Sequence, residues 1–253
     1  MHRLGIPQDR MAKRLGMDQK TIHYHLGKMP VLAFSLNGDL SKGFTVAQVA
    51  QKYGWPEPMV WSLALEGKND HDRFKELGWG LRTWDQWAWN DCDKRFGDDW
   101  PGRIPAQMIA HILRFFSNPD DLILDPMAGG GVTPDTCLAL GRRCWAFDMM
   151  DRPETRPEIE PFTWDISSDQ GLFWPVSSKG KPDLIVFDPP YFDKKADRYD
   201  KKSISGLSKK AYLEFIEAPM SSQRFNAGVV SAMQKKNILG VISRYAIILG
   251  QEC

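Results

Sequence analysis

Three short apolar runs in this chain each stop on an aspartate: Leu122 to Leu124 before Asp125, "CWAF" (144 to 147) before Asp148, and "DLIVF" (183 to 187) before Asp188. Runs this short, bounded by turn residues, read as buried strands rather than helices. A Gly-rich loop and a helical stretch at about 133 to 140, stopped by Gly141, separate the first two runs. The order strand, loop, helix, strand predicts an α/β fold with a parallel sheet of the doubly wound, Rossmann-like type. In such sheets the ligand crevice lies outside the carboxyl ends of the strands. The aspartates therefore line the place where chemistry is expected.

Each strand end carries its own reading. In "LDPMAGGGVT" (124 to 133) the glycines let backbone approach a ligand closely, and Pro126 fixes the turn into the loop. The loop has no phosphate-binding Lys, which argues against a nucleoside triphosphatase. Asp148 lies 23 residues past Asp125, the spacing at which such folds grip ribose hydroxyls. Asp165, after "TW" in a third short strand, is placed to bond an exocyclic amine of an adenine ring or else to serve as a turn residue. The last end, "VFDPPYF" (186 to 192), groups an acid, two prolines and two aromatics where a plain turn needs fewer. A site acting on a flat ring with an amino group uses all of them. The Asp188 carboxylate and the Pro189 carbonyl accept the two amino hydrogens, Pro189 and Pro190 hold the carbonyl rigid, and Tyr191 and Phe192 stack on the base.

Together "DPMAGGGVT", "GRRCWAFD" and "DPPYF" resemble the amino methyltransferases of DNA, over about Arg103 to Phe192. That resemblance implies S-adenosylmethionine as cofactor and an exocyclic nitrogen, adenine favoured over cytosine, as methyl acceptor. It implies cofactor contacts at Asp125, Pro126, Ala128, Gly129, Gly131, Asp148 and Asp165, and a catalytic motif at Asp188, Pro189, Pro190 and Tyr191. Pro105 fits the first turn of a helix, with Met108, Ile109, Ile112, Leu113 and Phe116 recurring on one face, and "PGRIPAQMIAHIL" (101 to 113) looks like the family's additional cofactor-side helix. In the same family about three more strands follow the catalytic one. Here "AYLEFIEAPM" resembles the next helix and "ILGVISRYAIIL" (238 to 249) is expected to give one further strand, so the C-terminal strands are expected to be incomplete. The charged stretch 193 to 210 is expected to be a loop.

The first quarter of the chain has a different grammar. "DRMAKRLGMDQKTIHYHL" (9 to 26) predicts a short helix, a turn at Gly16 and a second helix N-capped by Asp18, with Ile22 and Leu26 on one face. The pattern recurs 38 residues on, where Ala50 matches Ala12, Gly54 matches Gly16 and Val60 matches Ile22, with "SLNGDLSKG" (35 to 43) as a hinge. These units read either as tandem helix-turn-helix elements or as a plain helical bundle. In the first reading Lys20, Thr21, His23 and His25, or Glu57, Met59 and Trp61, face outward toward a DNA groove. "QDRMAKRLGMDQKTIHYHL" and "LSKGFTVAQVAQKYGW" resemble the helix-turn-helix portion of ParB-like partition proteins, whose usual preceding domain is not expected here.

The expected organisation is an all-α DNA-binding region at 1–78, a Trp-rich joint at 79–102 and the methyltransferase domain at 103–253. The joint holds five of the ten tryptophans and serves either as interdomain packing or as a stacking platform for bases. A net charge of +1 gives no global basic field, so double-stranded DNA as partner must be met by local patches. The four cysteines show no metal-type pairing, and no metal is expected. Nothing reads as a signal peptide or membrane span, and a cytoplasmic location is expected. Two rival functions use the same residues: a DNA-binding regulator with a degenerate methylase half, and a methylase acting on guanine amino groups in RNA.

Overall fold

The computed structural model describes residues 1–84, 87–89, 91–162, 182–190, 204–221, 228–232 and 246–249, with side-chain surroundings as far as residue 215. Asp165, Tyr191 and Phe192 lie outside the described residues.

The strands β1 (Leu122–Asp125), β2 (Arg143–Asp148), β3 (Ile159–Pro161), β4 (Leu184–Phe187), β5 (Gly228–Ala232) and β6 (Ala246–Leu249) form one sheet in the order β3-β2-β1-β4-β5-β6. Every neighbouring pair is parallel. This is the doubly wound order, whose direction reverses between β1 and β4. The residues of β1 and β4 are all buried, as expected of strands covered on both faces. Helix α7 (Val132–Leu140) links β1 to β2, and α8 (Lys209–Ser221) links β4 to β5. The two crossovers run in opposite directions along the sheet, so right-handed connection places these helices on opposite faces. Phe215 of α8 packs on Phe187 of β4 with ring centroids 6.4 Å apart. Helix α6 (Ala106–Phe116) follows Pro105, as the sequence predicted, and packs against α7 with Met108, Ile109, Ile112 and Leu113 buried. Phe116, expected on the same apolar face, is exposed.

Ahead of the sheet, α1 (Gln8–Leu15), α2 (Gln19–Ser41), α3 (Val46–Tyr53), α4 (Glu57–Ala64) and α5 (Asp70–Glu76) follow one another. The repeat is visible in the backbone: Gly16 and Gly54 both close their helices in the left-handed conformation, at φ 63° and 66°. Ala12, Ile22, Ala50 and Val60, the matched apolar positions, are all buried. Asp18 caps α2 by accepting from the Thr21 N–H at 2.9 Å. A capping box between Thr45 and Gln48 opens α3.

Several expectations are corrected here. The stretch 35 to 43 is not a hinge, because α2 continues to Ser41 through Pro30 and Gly38. Tertiary contacts hold it helical: Leu36 is fully buried against Val49, Ala50, Val60 and Leu63, and Asp39 accepts from Lys52 Nζ at 2.5 Å and from the Tyr53 hydroxyl at 2.9 Å. The stretch "DRPETRPEIEP" (151 to 161), whose prolines predict a loop, ends in β3, which pairs with β2 at the sheet edge, where a terminal Pro161 is tolerated. Among the described residues two strands follow β4 rather than one, since "GVVSA" forms β5 before β6. Glu57, Met59 and Trp61 do not face solvent freely; α4 packs on α7, and all three are half-buried.

The main apolar core runs without a break from Leu4, Ile6, Met11 and Ile22 through Phe74 and Trp79 to the sheet and Phe215. Leu36, Val49, Ala50, Val60 and Leu63 form a second, smaller cluster. Polar contacts reinforce the first connection. Arg14 pairs with Asp151 and donates to the Ile159 carbonyl at 2.7 Å, and Arg10 bonds Glu160 at 2.5 Å. Arg142 is buried with its guanidinium on both oxygens of Asp70, at 2.5 and 2.8 Å, tying α5 to the end of α7.

Candidate active site

The acids Asp148, Asp125 and Asp188 close β2, β1 and β4 or directly follow them, and these three strands are neighbours in the sheet. The fold thus brings residues spread over 63 positions to one rim, at the point where strand order reverses. That placement is a consequence of parallel pairing: each acid follows its strand, and all the strands point the same way.

Asp125 is almost fully buried and accepts from the Met127 N–H at 3.0 Å. Burial pushes its carboxyl up to about 7, and the charge of nearby Asp148 adds to the shift, against hydrogen bonds from Thr133 and Met127. Pro126 and Ala128 are buried, and the Ala128 N–H donates to the Phe147 carbonyl at 2.8 Å, stitching the loop to β2. Gly131, at φ 85°, begins α7 in a conformation that a side chain would strain. Gly129 donates its N–H to one Asp148 oxygen at 2.9 Å, and Met150 donates to the other at 2.9 Å. A carboxylate oxygen has two lone pairs, so each Asp148 oxygen keeps one for a further donor. A ribose diol supplies two such donors, and the residues fit that demand.

A wall over the Gly-rich loop was not anticipated from sequence. The Asp98 N–H donates to the Gly130 carbonyl at 2.8 Å. Trp100 lies so close that a Cβ on Gly130 would meet its Cβ at 2.8 Å and the Asp98 carbonyl at 3.1 Å. Arg152 stacks over the Trp100 ring at 4.4 Å, pairs with Asp98 at 3.3 Å and donates to the Gly129 carbonyl. Arg156 bridges Asp98 and Asp135 at 2.8 Å each. Burial works against its charged form, but Asp135, Asp98 and Glu158 hold it above the ordinary guanidinium value. Burial likewise works against the charged form of Asp135, pushing its carboxyl up to about 6 against the pull of Arg156. The only sequence signals for this wall were the Gly97 and Pro101 punctuation around "DDW" and the i,i+4 spacing of Arg152 and Arg156.

Two other tryptophans of the joint, Trp79 and Trp87, sit elsewhere. Trp79 donates to Asp93 at 2.9 Å and packs on Phe74 and Phe96. Trp87 stacks on Phe115 with centroids 5.8 Å apart. Phe115 is at the end of α6 that leads into the start of β1, opposite the rim of acids, so Trp87 is no platform for a base held at that rim.

In the Asp-Pro-Pro segment after β4, Asp188 is half-buried, Pro189 buried and Pro190 half-buried. The Pro190 carbonyl accepts from the Tyr212 hydroxyl at 3.0 Å. In α2, Lys20, His23 and His25 are exposed, whereas Thr21 is half-buried and its hydroxyl is turned to Asp18 at 2.6 Å. Among the described residues no helix is long and apolar enough to cross a membrane.

Compared with known proteins, the chain matches the family model of the N6/N4 DNA methylases, described as DNA methylase, over residues 20–153. The match takes in β1, the Gly-rich loop and Asp148; the Asp188 motif lies beyond it. No curated protein and no solved structure matches the chain. The matched stretch is more than half of the 253 residues, and with the acids gathered on one rim it establishes that the chain belongs to the N6/N4 DNA methylase family.

Proposed function

We propose that the protein transfers a methyl group from S-adenosylmethionine to the exocyclic amino nitrogen of a base flipped out of double-stranded DNA, with adenine favoured over cytosine. The observation that carries this reading is the adjacency of Asp148, Asp125 and the Asp188 motif on β2, β1 and β4 at the reversal point of the sheet. When bound, S-adenosylmethionine supplies an electrophilic methyl group on its sulfonium. Asp148 holds the ribose diol through the lone pairs that Gly129 and Met150 leave open. The Gly-rich loop presents backbone to the amino-acid tail, and Asp165 contacts the adenine.

At the target, the Asp188 carboxylate and the Pro189 carbonyl accept the two amino hydrogens. This draws the nitrogen lone pair out of conjugation and aims it in line at the methyl carbon. The N–C bond would form as the carbon–sulfur bond breaks, its electron pair leaving on sulfur as a neutral thioether, and one N–H proton would then pass to Asp188 or water. Tyr191 and Phe192 replace the stacking lost when the base leaves the helix. The exposed Lys20, His23 and His25, with Thr21 beside them, read DNA as part of a helix-turn-helix of ParB-like type. Local support for this comes from the helix, left-handed glycine, helix repeat.

The test is tritium transfer from labelled cofactor to unmethylated genomic DNA, paired with calorimetric titration of the cofactor. Asp188→Ala is expected to abolish transfer while cofactor affinity stays within about threefold. Asp148→Ala is expected to weaken cofactor affinity by tenfold or more. Wild-type transfer by the Asp188 variant would sink the assignment.

A further inference from the structure

Two consecutive prolines in the catalytic motif create a mechanical problem. Neither Pro189 nor Pro190 has a backbone N–H, so the segment after Asp188 cannot be held by donation from these two positions. At these two positions the backbone can take part in hydrogen bonds only as an acceptor, through its carbonyls. The Pro189 carbonyl is the one the proposed reaction uses. The next carbonyl, that of Pro190, accepts from the Tyr212 hydroxyl at 3.0 Å.

Tyr212 is well placed for this. The Ser208 carbonyl takes the Tyr212 N–H at 2.9 Å and the Ser208 hydroxyl takes the Ala211 N–H at 3.3 Å, which fixes the first turn of α8. Tyr212 and Phe215 are three residues apart, hence on one helix face, and both are buried. Phe215 rests on Phe187, the last residue of β4, while Tyr212 reaches the carbonyl three residues further on. The face that anchors α8 to the sheet therefore also grips the loop that leaves it.

We infer that Tyr212 is a positioning residue for methyl transfer, its hydroxyl fixing the Pro190 carbonyl and, through the restricted backbone of Pro190, the peptide plane that presents the Pro189 carbonyl to the target base. The inference rests on the proposed reaction at Asp188. Tyr212 touches neither substrate nor cofactor; its effect is on the geometry of the acceptor.

The experiment compares Tyr212→Phe and Phe215→Leu with the wild type in the full chain. Readouts are single-turnover methyl transfer to unmethylated genomic DNA, the apparent KM for that DNA, calorimetric cofactor affinity and the urea unfolding midpoint. Tyr212→Phe keeps the ring and removes only the hydroxyl. It is expected to slow transfer about tenfold or more while KM and cofactor affinity change less than about twofold. Phe215→Leu loosens the same helix but leaves the hydroxyl in place, and is expected to lower the unfolding midpoint with less than about a threefold loss of rate. Wild-type rate in Tyr212→Phe overturns the inference and leaves the methylase reading intact. So does a rate loss in Phe215→Leu as large as that in Tyr212→Phe, which would mean only that α8 must be firmly packed. A wild-type chain that binds cofactor but methylates no DNA overturns the reading and the inference with it.

Discussion

Asp125 is 3% exposed at the end of β1, and burial pushes its carboxyl up to about 7. In the unfolded chain the same group titrates near 4. The folded value is the higher of the two, so folding favours the protonated form. That contribution is fully present below about pH 4, and it is lost as pH rises toward about 7 because the unfolded state gives up its proton first. Between pH 5 and 8 the loss spans about two pH units, from 5 to the folded value, at ~1.4 kcal/mol per unit, or about 3 kcal/mol. Asp125→Asn tests this directly. The amide keeps an oxygen to accept the Met127 N–H and a donor in place of the acid proton, but it cannot ionise. Urea unfolding of both chains at several pH values from 5 to 8 and fixed ionic strength isolates the effect, since groups not coupled to Asp125, Asp135 included, are common to both and cancel. The variant is expected to gain about 3 kcal/mol relative to wild type on going from pH 5 to 8. A difference between the chains that stays within about 0.5 kcal/mol across that range would refute the reasoning.

Other expectations follow from the same contacts. Asp70→Ala leaves the fully buried Arg142 without its carboxylate and is expected to lower the urea unfolding free energy by about 3–5 kcal/mol; adding Arg142→Met should recover most of it, and no recovery would show that α5 needs the pair for more than charge balance. Gly130→Ala drives a Cβ to 2.8 Å from the Trp100 Cβ and 3.1 Å from the Asp98 carbonyl. It should displace the Trp100 wall, seen as a changed tryptophan emission maximum, and weaken cofactor binding; an unchanged spectrum with normal affinity would mean that the wall yields freely.

The legible part of this protein is what local rules control. Short apolar runs bounded by turn residues encode β1, β2 and β4, and because a parallel sheet aligns carboxyl ends, finding the strands also located Asp125, Asp148 and Asp188. Caps were equally readable: Asp18 before α2 and Pro105 before α6 act within a few residues of themselves. The readings that failed depended on partners distant in sequence. Nothing local distinguishes "SLNGDLSKG" from a hinge; Leu36 and Asp39 hold it in α2 only because Val60, Lys52 and Tyr53 meet them. β5 is five residues without a distinctive pattern, and pairing with β4 makes it a strand.

The functional details divide along the same line. Sequence alone determined the strands β1, β2 and β4 and the acid that ends or follows each, because a strand and its terminal acid are neighbours in the chain. Only the tertiary structure decided that Asp98, Trp100 and Arg152 wall the Gly-rich loop, that Arg142 is neutralised by Asp70, and that Tyr212 grips Pro190. Those contacts join residues 22 to 72 positions apart. Hydrogen bonds and ion pairs act over a few ångströms in space and carry no periodicity along the chain; they exist once packing has chosen which distant residues meet.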